Sequence, residues 1–121
     1  MPESDCLFCK IIAGDIPSTT VLETDTTYAF RDISPQADVH VLVVPRTHYE
    51  DAEALAKAPQ DLADVITAGT AVAKQEGIDQ SGFRMVLNTG EHAGRTVFHA
   101  HLHVLGGEQL GLFGRPSPEH R

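Results

Sequence analysis

Histidines at every second position near the C-terminus constrain this chain more than any other sequence feature. Residues 99–105 read HAHLHVL, so that His99, His101 and His103 alternate with apolar residues. This alternation predicts a β-strand, because side chains at every second position share one face. The three histidines would line that face about 7 Å apart. The intervening residues, Ala100, Leu102 and Val104, would enter a hydrophobic core.

Three imidazole rings in a row favour a functional site. Each ring has two nitrogens that need a hydrogen-bonding partner or water, and a buried polar group without one costs about 1–3 kcal/mol. The alternative interpretation is a solvated edge strand without a function. Burial preferences favour the functional interpretation.

The composition is that of a soluble globular protein, with 121 residues, 41% hydrophobic and 21% charged. This length predicts a single domain over residues 1–121, whose core needs no disulfides. No apolar run approaches the roughly 18 residues of a membrane span, and residues 1–5 (MPESD) do not resemble a secretion signal. We therefore expect a cytoplasmic protein with no membrane partner, whose two cysteines are thiols or metal ligands.

The net charge of −8 argues against a nucleic-acid polymer as partner. Nucleic-acid binders usually carry a basic patch, whereas the nine lysines and arginines of this chain are scattered. A small anion remains a suitable ligand, because backbone N–H groups and imidazoles act locally.

Hydrophobic periodicity predicts an α+β fold with a five-stranded antiparallel sheet. The histidine run is the fifth strand, and the other four are expected over residues 20–23, 26–32, 40–45 and 83–88. One long helix is expected over residues 59–76, and short helices over 6–13 and 50–57. The apolar stripe of the long helix comprises Leu62, Val65, Ile66, Gly69, Val72 and Ala73. The tail from about residue 107 to 121 is expected to be irregular.

Several segments together resemble the histidine triad (HIT) nucleotide-binding proteins. The histidine run continues into VLGG at residues 104–107, and the other matching segments are LFCKII (7–12), AFRDISPQA (29–37), HVLVVP (40–45) and RMVLN (84–88). The resemblance covers roughly residues 6–109 and is nearest to the branch that hydrolyses purine nucleoside phosphoramidates. It implies a HIT-like fold, purine nucleotide substrates, and a homodimer whose two sheets join into one ten-stranded sheet.

The resemblance also implies a mechanism. A neutral imidazole is a competent nucleophile near pH 7. By resemblance, His101 attacks phosphorus and forms a nucleotidyl-histidine intermediate, which water then cleaves. His103 and His40 would contact the phosphate or orient the nucleophile. The alternative is that His103 is a solvated residue on the face of the sheet and that His40 is a histidine at a strand end without a function.

Residues for the rest of the substrate follow from the same resemblance. Asn88, Gly94 and Thr96 would hold the α-phosphate and the leaving nitrogen. Gly94 suits this place because a missing side chain lets a backbone N–H approach an oxyanion. Asp32, beside Ile33, would accept hydrogen bonds from the ribose hydroxyls. The apolar slot for the base would be lined by Leu7, Phe8, Ile11, Ile16 and Phe30. The alternative for the phosphate segment is a plain turn, and the alternative for the apolar slot is that its residues are ordinary core positions.

A structural zinc site is a further hypothesis. Cys6 and Cys9 have metal-ligand spacing, but a lone pair is weak evidence, since tetrahedral zinc needs four ligands. Relatives of bacterial type imply His48 and His99 as the other two. The alternative is two buried thiols. The zinc would not be required for the chemistry, and His92 and His120 have no assigned role.

Three other functions compete with a phosphoramidate hydrolase. The chain could be a nucleotide-binding sensor or scaffold with little turnover, or a dinucleoside polyphosphate hydrolase of the sister branch. Residues 7–10 (LFCK) and the Gly106-Gly107 ending favour the phosphoramidate branch. In the third alternative the triad histidines bind one transition metal. Strand geometry argues against it, because ligands about 7 Å apart cannot all reach an ion at about 2 Å.

Overall fold

The structure is a computed structural model and describes residues 5–113. Its helices are α1 (Leu7–Ile12), α2 (Ala52–Ala56) and α3 (Pro59–Gln75), with a 3-10 turn at Glu91–Ala93. Its strands are β1 (Thr20–Glu23), β2 (Thr27–Arg31), β3 (Val39–Pro45), β4 (Phe83–Leu87) and β5 (Leu102–Gly106). Residues 107–113 lie in neither a helix nor a strand, and His120 and the rest of the expected tail lie outside the described residues. No helix within residues 5–113 combines the length and the hydrophobicity that crossing a membrane requires.

The five strands form one antiparallel sheet in the order β1-β2-β3-β5-β4, which confirms the expected fold class. Each pairing except that of β3 with β5 joins strands that are consecutive in sequence. The exception arises because α2 and α3 connect β3 to β4 and leave a gap in the sheet between these two strands. β5 fills that gap. β3 is thereby central, and β1 and β4 are the two edges.

The sheet separates two apolar clusters, and the alternation along β3 shows how. Val41 and Val43 pack with α3 on one face. Leu42 and Val44 pack with α1 on the other face. Since side chains alternate along a strand, His40 shares the α1 face with Leu42. His40 of β3, a predicted site residue, therefore lies on the face that α1 covers, and α3 packs against the core on the opposite face.

The long helix follows the predicted stripe with one correction. Val65, Gly69, Val72 and Ala73 are buried, and Leu62 packs against the same core. Ile66 is 36% exposed, so its place in the buried stripe is wrong. Ile66 follows Val65 by one residue, which turns it about 100° around a helix of 3.6 residues per turn and carries it to the edge of the core.

The histidine strand is shorter than predicted. β5 begins at Leu102, so His103 is the one triad histidine within it, and the prediction of a strand that starts at His99 is wrong. The ladder with β3 ends at the pair Val43–Leu102. It does not continue to Pro45, because proline has no N–H and its carbonyl accepts a hydrogen bond from the His99 ring at 2.9 Å.

The residues between the histidines do enter the core, as predicted. Ala100, Leu102 and Val104 are all at most 4% exposed. On the opposite side, the Phe8 ring of α1 contacts the rings of both His99 and His101. The alternation therefore identified the two faces correctly although it misplaced the start of the strand.

Candidate active site

A cavity of about 830 Å³ opens on the α1 face of the sheet, within the size range of small-molecule sites. Its lining includes every residue that the resemblance assigned to the nucleotide: Leu7, Phe8, Ile11, Ile16, Phe30, Asp32, Ile33, Asn88, Gly94 and Thr96. His101 and His103 line it as well. His40 is buried behind it and contacts His103. The fold thus gathers these residues into one place, while their roles stay predictions.

The apolar end of the cavity is built by α1 and β2. Phe8 and Phe30 meet edge to face, with ring centroids 5.4 Å apart, and both are buried. Leu7 and Ile33, in contrast, are 42% and 98% exposed. These two therefore form the rim of the slot, where a flat apolar ligand would cover them.

Asp32 stands between the apolar end and the histidines. Its Oδ1 accepts the backbone N–H of Ser34 at 2.8 Å, which orients the carboxylate. Its Oδ2 lies 3.5 Å from Nε2 of His40. Because Asp32 lines the cavity and a carboxylate oxygen accepts more than one hydrogen bond, this residue has the geometry for the predicted contact with ribose hydroxyls.

The backbone determines which nitrogen of His101 can attack. Nδ1 of His101 lies 2.7 Å from the carbonyl oxygen of His99. A carbonyl can only accept, so Nδ1 carries the proton and Nε2 keeps its lone pair. Burial lowers the pKa of His101 below its ordinary value, against the opposing effect of this hydrogen bond. The ring is therefore neutral at pH 7, with Nε2 as its nucleophilic atom.

A second backbone contact sets the protons of His40 and His103. The N–H of Gln36 donates to Nδ1 of His40 at 3.0 Å, so the proton of the neutral His40 ring is on Nε2. That Nε2–H donates to Nδ1 of His103 at 2.9 Å. His103 consequently carries its own proton on Nε2. Burial, then the neighbouring His101 and His40, lowers the pKa of His103 to about 4.

This tautomer chain leaves His103 with an N–H donor for a ligand. Its Nε2 lies 3.4 Å from the side-chain amide of Asn88. An amide can be turned so that either its nitrogen or its oxygen faces a neighbour, and a donating Nε2 requires the Asn88 oxygen on this side. Together, Asn88 and His103 present a polar pair to the cavity.

The same tautomers argue against a metal at the histidines of the cavity. Asp32, His40 and His103 have ligand atoms within 4.8 Å of one another. However, a metal on Nε2 of His40 would move the ring proton to Nδ1, where it would oppose the N–H of Gln36. His99 also points to a different cluster from His103. The alternative in which the triad binds one metal is therefore disfavoured.

The loop after β4 forms the remaining wall of the cavity. Gly90 and Gly94 both have φ of +85°, a conformation that favours glycine. The N–H of Gly94 donates to the carbonyl of Glu91 at 2.9 Å, and the role of Gly94 at the phosphate stays a prediction. The exposed Thr96 lines the same wall.

Four side chains converge at a second centre next to His101. Cys6 caps α1 and Cys9 lies within it, while His48 follows β3 and His99 precedes β5. Nδ1 of His99 lies 3.4 and 3.5 Å from the two sulfur atoms and 3.2 Å from Nδ1 of His48. Ligand atoms around tetrahedral zinc are about 3.3–3.7 Å apart, from bond lengths of about 2.0–2.3 Å. The four residues thus fit a tetrahedral zinc ion.

The chemistry of His99 fits the same ion. Its Nε2–H donates to the Pro45 carbonyl, which leaves the Nδ1 lone pair directed at the cysteines. Burial lowers the pKa of His99 to about 4, so the ring is neutral, as a metal ligand must be. Histidines that bind a metal through one ring nitrogen commonly donate a hydrogen bond from the other, which fixes the orientation of the ring.

Sequence reasoning missed some residues of the site. Leu42 and Val97 line the cavity. Leu42 was detectable, because it lies two residues from His40 in a strand. The N–H of Gln36 and the carbonyls of His99 and Pro45 had no detectable signal, since any residue supplies such groups. His92 lies in the exposed 3-10 turn, outside the cavity lining.

Comparisons with known proteins agree with this geometry. Residues 13–110 match the HIT domain family. The chain is 43% identical over 108 residues to the purine nucleoside phosphoramidase of Escherichia coli K12, covering 88% of this chain and 91% of that one. It is 43% identical over 110 residues to a 14 kDa zinc-binding protein of Brassica juncea, covering 88% and 96%.

A solved structure supports the same assignment. A histidine triad protein from Clostridium difficile superposes with a TM-score of 0.89 at 40% identity, covering 93% of this chain and 99% of that one. Agreement of sequence, fold and site along most of the chain means that this protein belongs to the HIT family.

Proposed function

We propose that this protein hydrolyses purine nucleoside phosphoramidates through a nucleotidyl-histidine intermediate on His101. The observation that carries the proposal is the 2.7 Å contact between Nδ1 of His101 and the His99 carbonyl. It gives a neutral ring with a lone pair on Nε2, in a cavity that has an apolar end and a polar end. The similarity to a purine nucleoside phosphoramidase supports the choice of substrate.

The reaction has two displacement steps. In the first, the Nε2 lone pair of His101 forms a bond to the α-phosphorus. The bond from phosphorus to the leaving nitrogen breaks, and that nitrogen takes a proton from solvent on the side of the exposed Thr96. In the second, water attacks phosphorus, the bond to Nε2 breaks, and the proton of water returns to solvent. The products are a nucleoside monophosphate and an amine.

His103 and His40 orient the phosphate rather than attack it. The Nε2–H of His103 donates to a phosphate oxygen, because His40 holds its other nitrogen as an acceptor. The N–H of Gln36 in turn fixes His40. A donor aimed at the oxygen on which charge develops stabilises the transition state.

We further propose a structural zinc ion at Cys6, Cys9, His48 and His99. When bound, it would connect α1 to the segments that follow β3 and precede β5. Similarity to a zinc-binding protein supports the metal, and the distances between the ligand atoms support tetrahedral coordination. A cytoplasmic location stays a prediction of the sequence.

A homodimer with a ten-stranded sheet also remains a proposal. It requires an edge strand of each copy to pair with its counterpart. β4 is such an edge, and its five residues are only half-buried in the monomer. Light scattering on the purified protein should give a mass of about twice that of one chain, whereas a monomer mass at micromolar concentration would contradict the proposal.

The decisive experiment follows the intermediate and its residue. Protein turning over an adenosine phosphoramidate is quenched into alkaline denaturant, because a phosphorus–nitrogen bond to histidine is acid-labile. Mass spectrometry should find one adenylyl group on His101. The His101→Gln variant should lose at least about a thousandfold in kcat and still bind AMP, while the matched His92→Gln variant should keep its activity.

The same variants separate the competing functions. A sensor or scaffold would bind AMP without measurable turnover in the wild type. Activity of the His101→Gln variant within tenfold of the wild type would refute the proposed nucleophile. A kcat/KM for diadenosine polyphosphates above that for phosphoramidates would instead favour the sister branch.

A further inference from the structure

A buried guanidinium beside the cavity has no part in the reaction described above. Arg95 lies between Gly94 and Thr96, which both line the cavity. Its side chain is only 11% exposed, and Arg95 itself is absent from the cavity lining. A cation therefore adjoins the segment that the resemblance assigns to the phosphate, and, besides burial, its charge acts to lower the pKa of His101.

The contacts of this guanidinium compensate its charge only in part. Nη1 of Arg95 donates to the Glu50 carbonyl at 3.3 Å and lies 3.9 Å from Oδ2 of Asp51. The Asp51 carboxylate is also engaged by the N–H of Ala54, at the start of α2. The guanidinium carbon lies 4.2 Å from the centre of the Phe98 ring.

One atom of Arg95 has no partner. Its Nε is buried and makes no hydrogen bond within residues 5–113. Buried polar groups in proteins are nearly always satisfied, so an exception needs an explanation. A residue that served only to hold the loop would not be expected to leave a charged group incompletely paired, since this costs stability.

Arg31, which unlike Arg95 lines the cavity itself, differs in this respect. Both of its terminal nitrogens donate to the Glu76 carboxylate, at 2.7 and 3.1 Å. In a chain with a net charge of −8, a partly compensated cation next to the phosphate loop has a large local effect. Because the Arg95 side chain is only 11% exposed, solvent screens its charge less than that of a surface residue.

We propose that Arg95 determines the preference of this site for a phosphate-bearing nucleotide over the uncharged nucleoside. The proposal rests on the proposed function, because that places the phosphate at Gly94 and Thr96. Arg95 is a positioning residue that acts without touching the ligand. Its contacts to Glu50 and Phe98 hold the loop against the start of α2, and its charge attracts the phosphate through the loop.

Calorimetric binding of AMP and of adenosine tests this directly, because the two ligands differ only in the phosphate. We expect Arg95→Gln to weaken AMP binding about tenfold, because it removes a partly compensated positive charge near the proposed phosphate position, and to leave adenosine binding unchanged. Arg95→Lys keeps the charge and should stay within about threefold of the wild type for AMP. Lys74→Gln, an exposed site in α3, changes the net charge equally and should change neither affinity.

Each other outcome has a definite meaning. If Arg95→Gln binds AMP like the wild type, the proposal is overturned. An equal loss for AMP and adenosine would overturn it as well, because Arg95 would then only support the fold. If Arg95→Gln does not fold, the uncharged Arg95→Met takes its place with the same criteria, and tenfold weaker AMP binding by Arg95→Lys would also overturn the proposal. A wild type that binds AMP no more tightly than adenosine would refute the proposed phosphate site itself.

Discussion

At the scale of single residues, backbone groups decide what the histidines of this protein can do. The carbonyl of His99 holds the proton of the neutral His101 ring on Nδ1 and leaves a lone pair on Nε2. The N–H of Gln36 sets the proton of His40 and, through it, that of His103. Neutral imidazole has two tautomers of similar energy in water, so one well-placed backbone partner is enough to select between them.

The buried histidines predict how stability depends on pH. The pKa of His103 is about 4 in the folded protein and about 6.5 in an unfolded chain. Between these values the unfolded chain binds more protons, so the free energy of unfolding should fall as pH decreases from 6.5 towards 4. Urea unfolding at pH 7 and pH 5 measures this change.

A matched pair of variants assigns the effect. His103→Asn should reduce the difference in stability between pH 7 and pH 5, because it removes one group with a lowered pKa. His92→Asn, in the exposed 3-10 turn, should leave that difference unchanged. Equal pH dependence in both variants would contradict the assignment to His103.

At the scale of elements, the close approach of α3 to the sheet supports β5, the strand that carries His103. A Cβ added at Gly69 would lie 2.8 Å from Cδ2 of Leu102 and 3.0 Å from the sulfur of Met85. Leu102 lies between His101 and His103 in sequence. Because Gly69 has no side chain, α3 can pack directly against Leu102 of β5.

Gly69→Ala should therefore destabilise the protein. Alanine gains about 1 kcal/mol of helix propensity over glycine, but the crowding of Leu102 and Met85 costs about 1–3 kcal/mol. We expect a net loss of up to about 2 kcal/mol in urea unfolding. Ala71→Gly, at an exposed position of the same helix, measures the propensity term alone. A Gly69→Ala variant more stable than the wild type would contradict this prediction, because it would show that Leu102 and Met85 move aside without loss of stability.

At the scale of the whole molecule, the proposed zinc site connects segments that are far apart in sequence. Its ligands come from α1, from the residues after β3 and from the residues before β5. Because the His99 carbonyl also holds His101, the proposed metal site and the proposed nucleophile share one residue. Loss of the metal should therefore affect both stability and turnover.

Metal analysis of two histidine variants tests this arrangement. The wild type should contain about one zinc per chain. His48→Ala should lose the metal and lower Tm by about 10 °C, which corresponds to about 2–3 kcal/mol for a domain of this size. His92→Ala should keep the zinc and the Tm of the wild type. A His48→Ala protein with full zinc content would exclude His48 as a ligand.

Local pattern was sufficient to predict most elements of this protein. The period of 3.6 located α3, with Ile66 as the misplaced member of its stripe. The period of 2 assigned Ala100, Leu102 and Val104 to the core. Motif resemblance identified most of the residues that line the cavity. All of these features depend on the order of side chains along a few turns or strands. That order can be read directly from the sequence.

Only the tertiary structure decided the start of β5, the histidine tautomers and the position of Arg95. The ladder of β5 with β3 stops at Leu102, where the His99 side chain takes the Pro45 carbonyl and the Ala100 N–H donates to the Tyr49 carbonyl. Nδ1 of His40 is an acceptor because a loop brings it the N–H of Gln36. Arg95 is buried because Glu50 and Phe98 surround it. The physical reason is common to all three: each depends on a partner placed in space by the fold, and side-chain order along the chain does not encode such a partner.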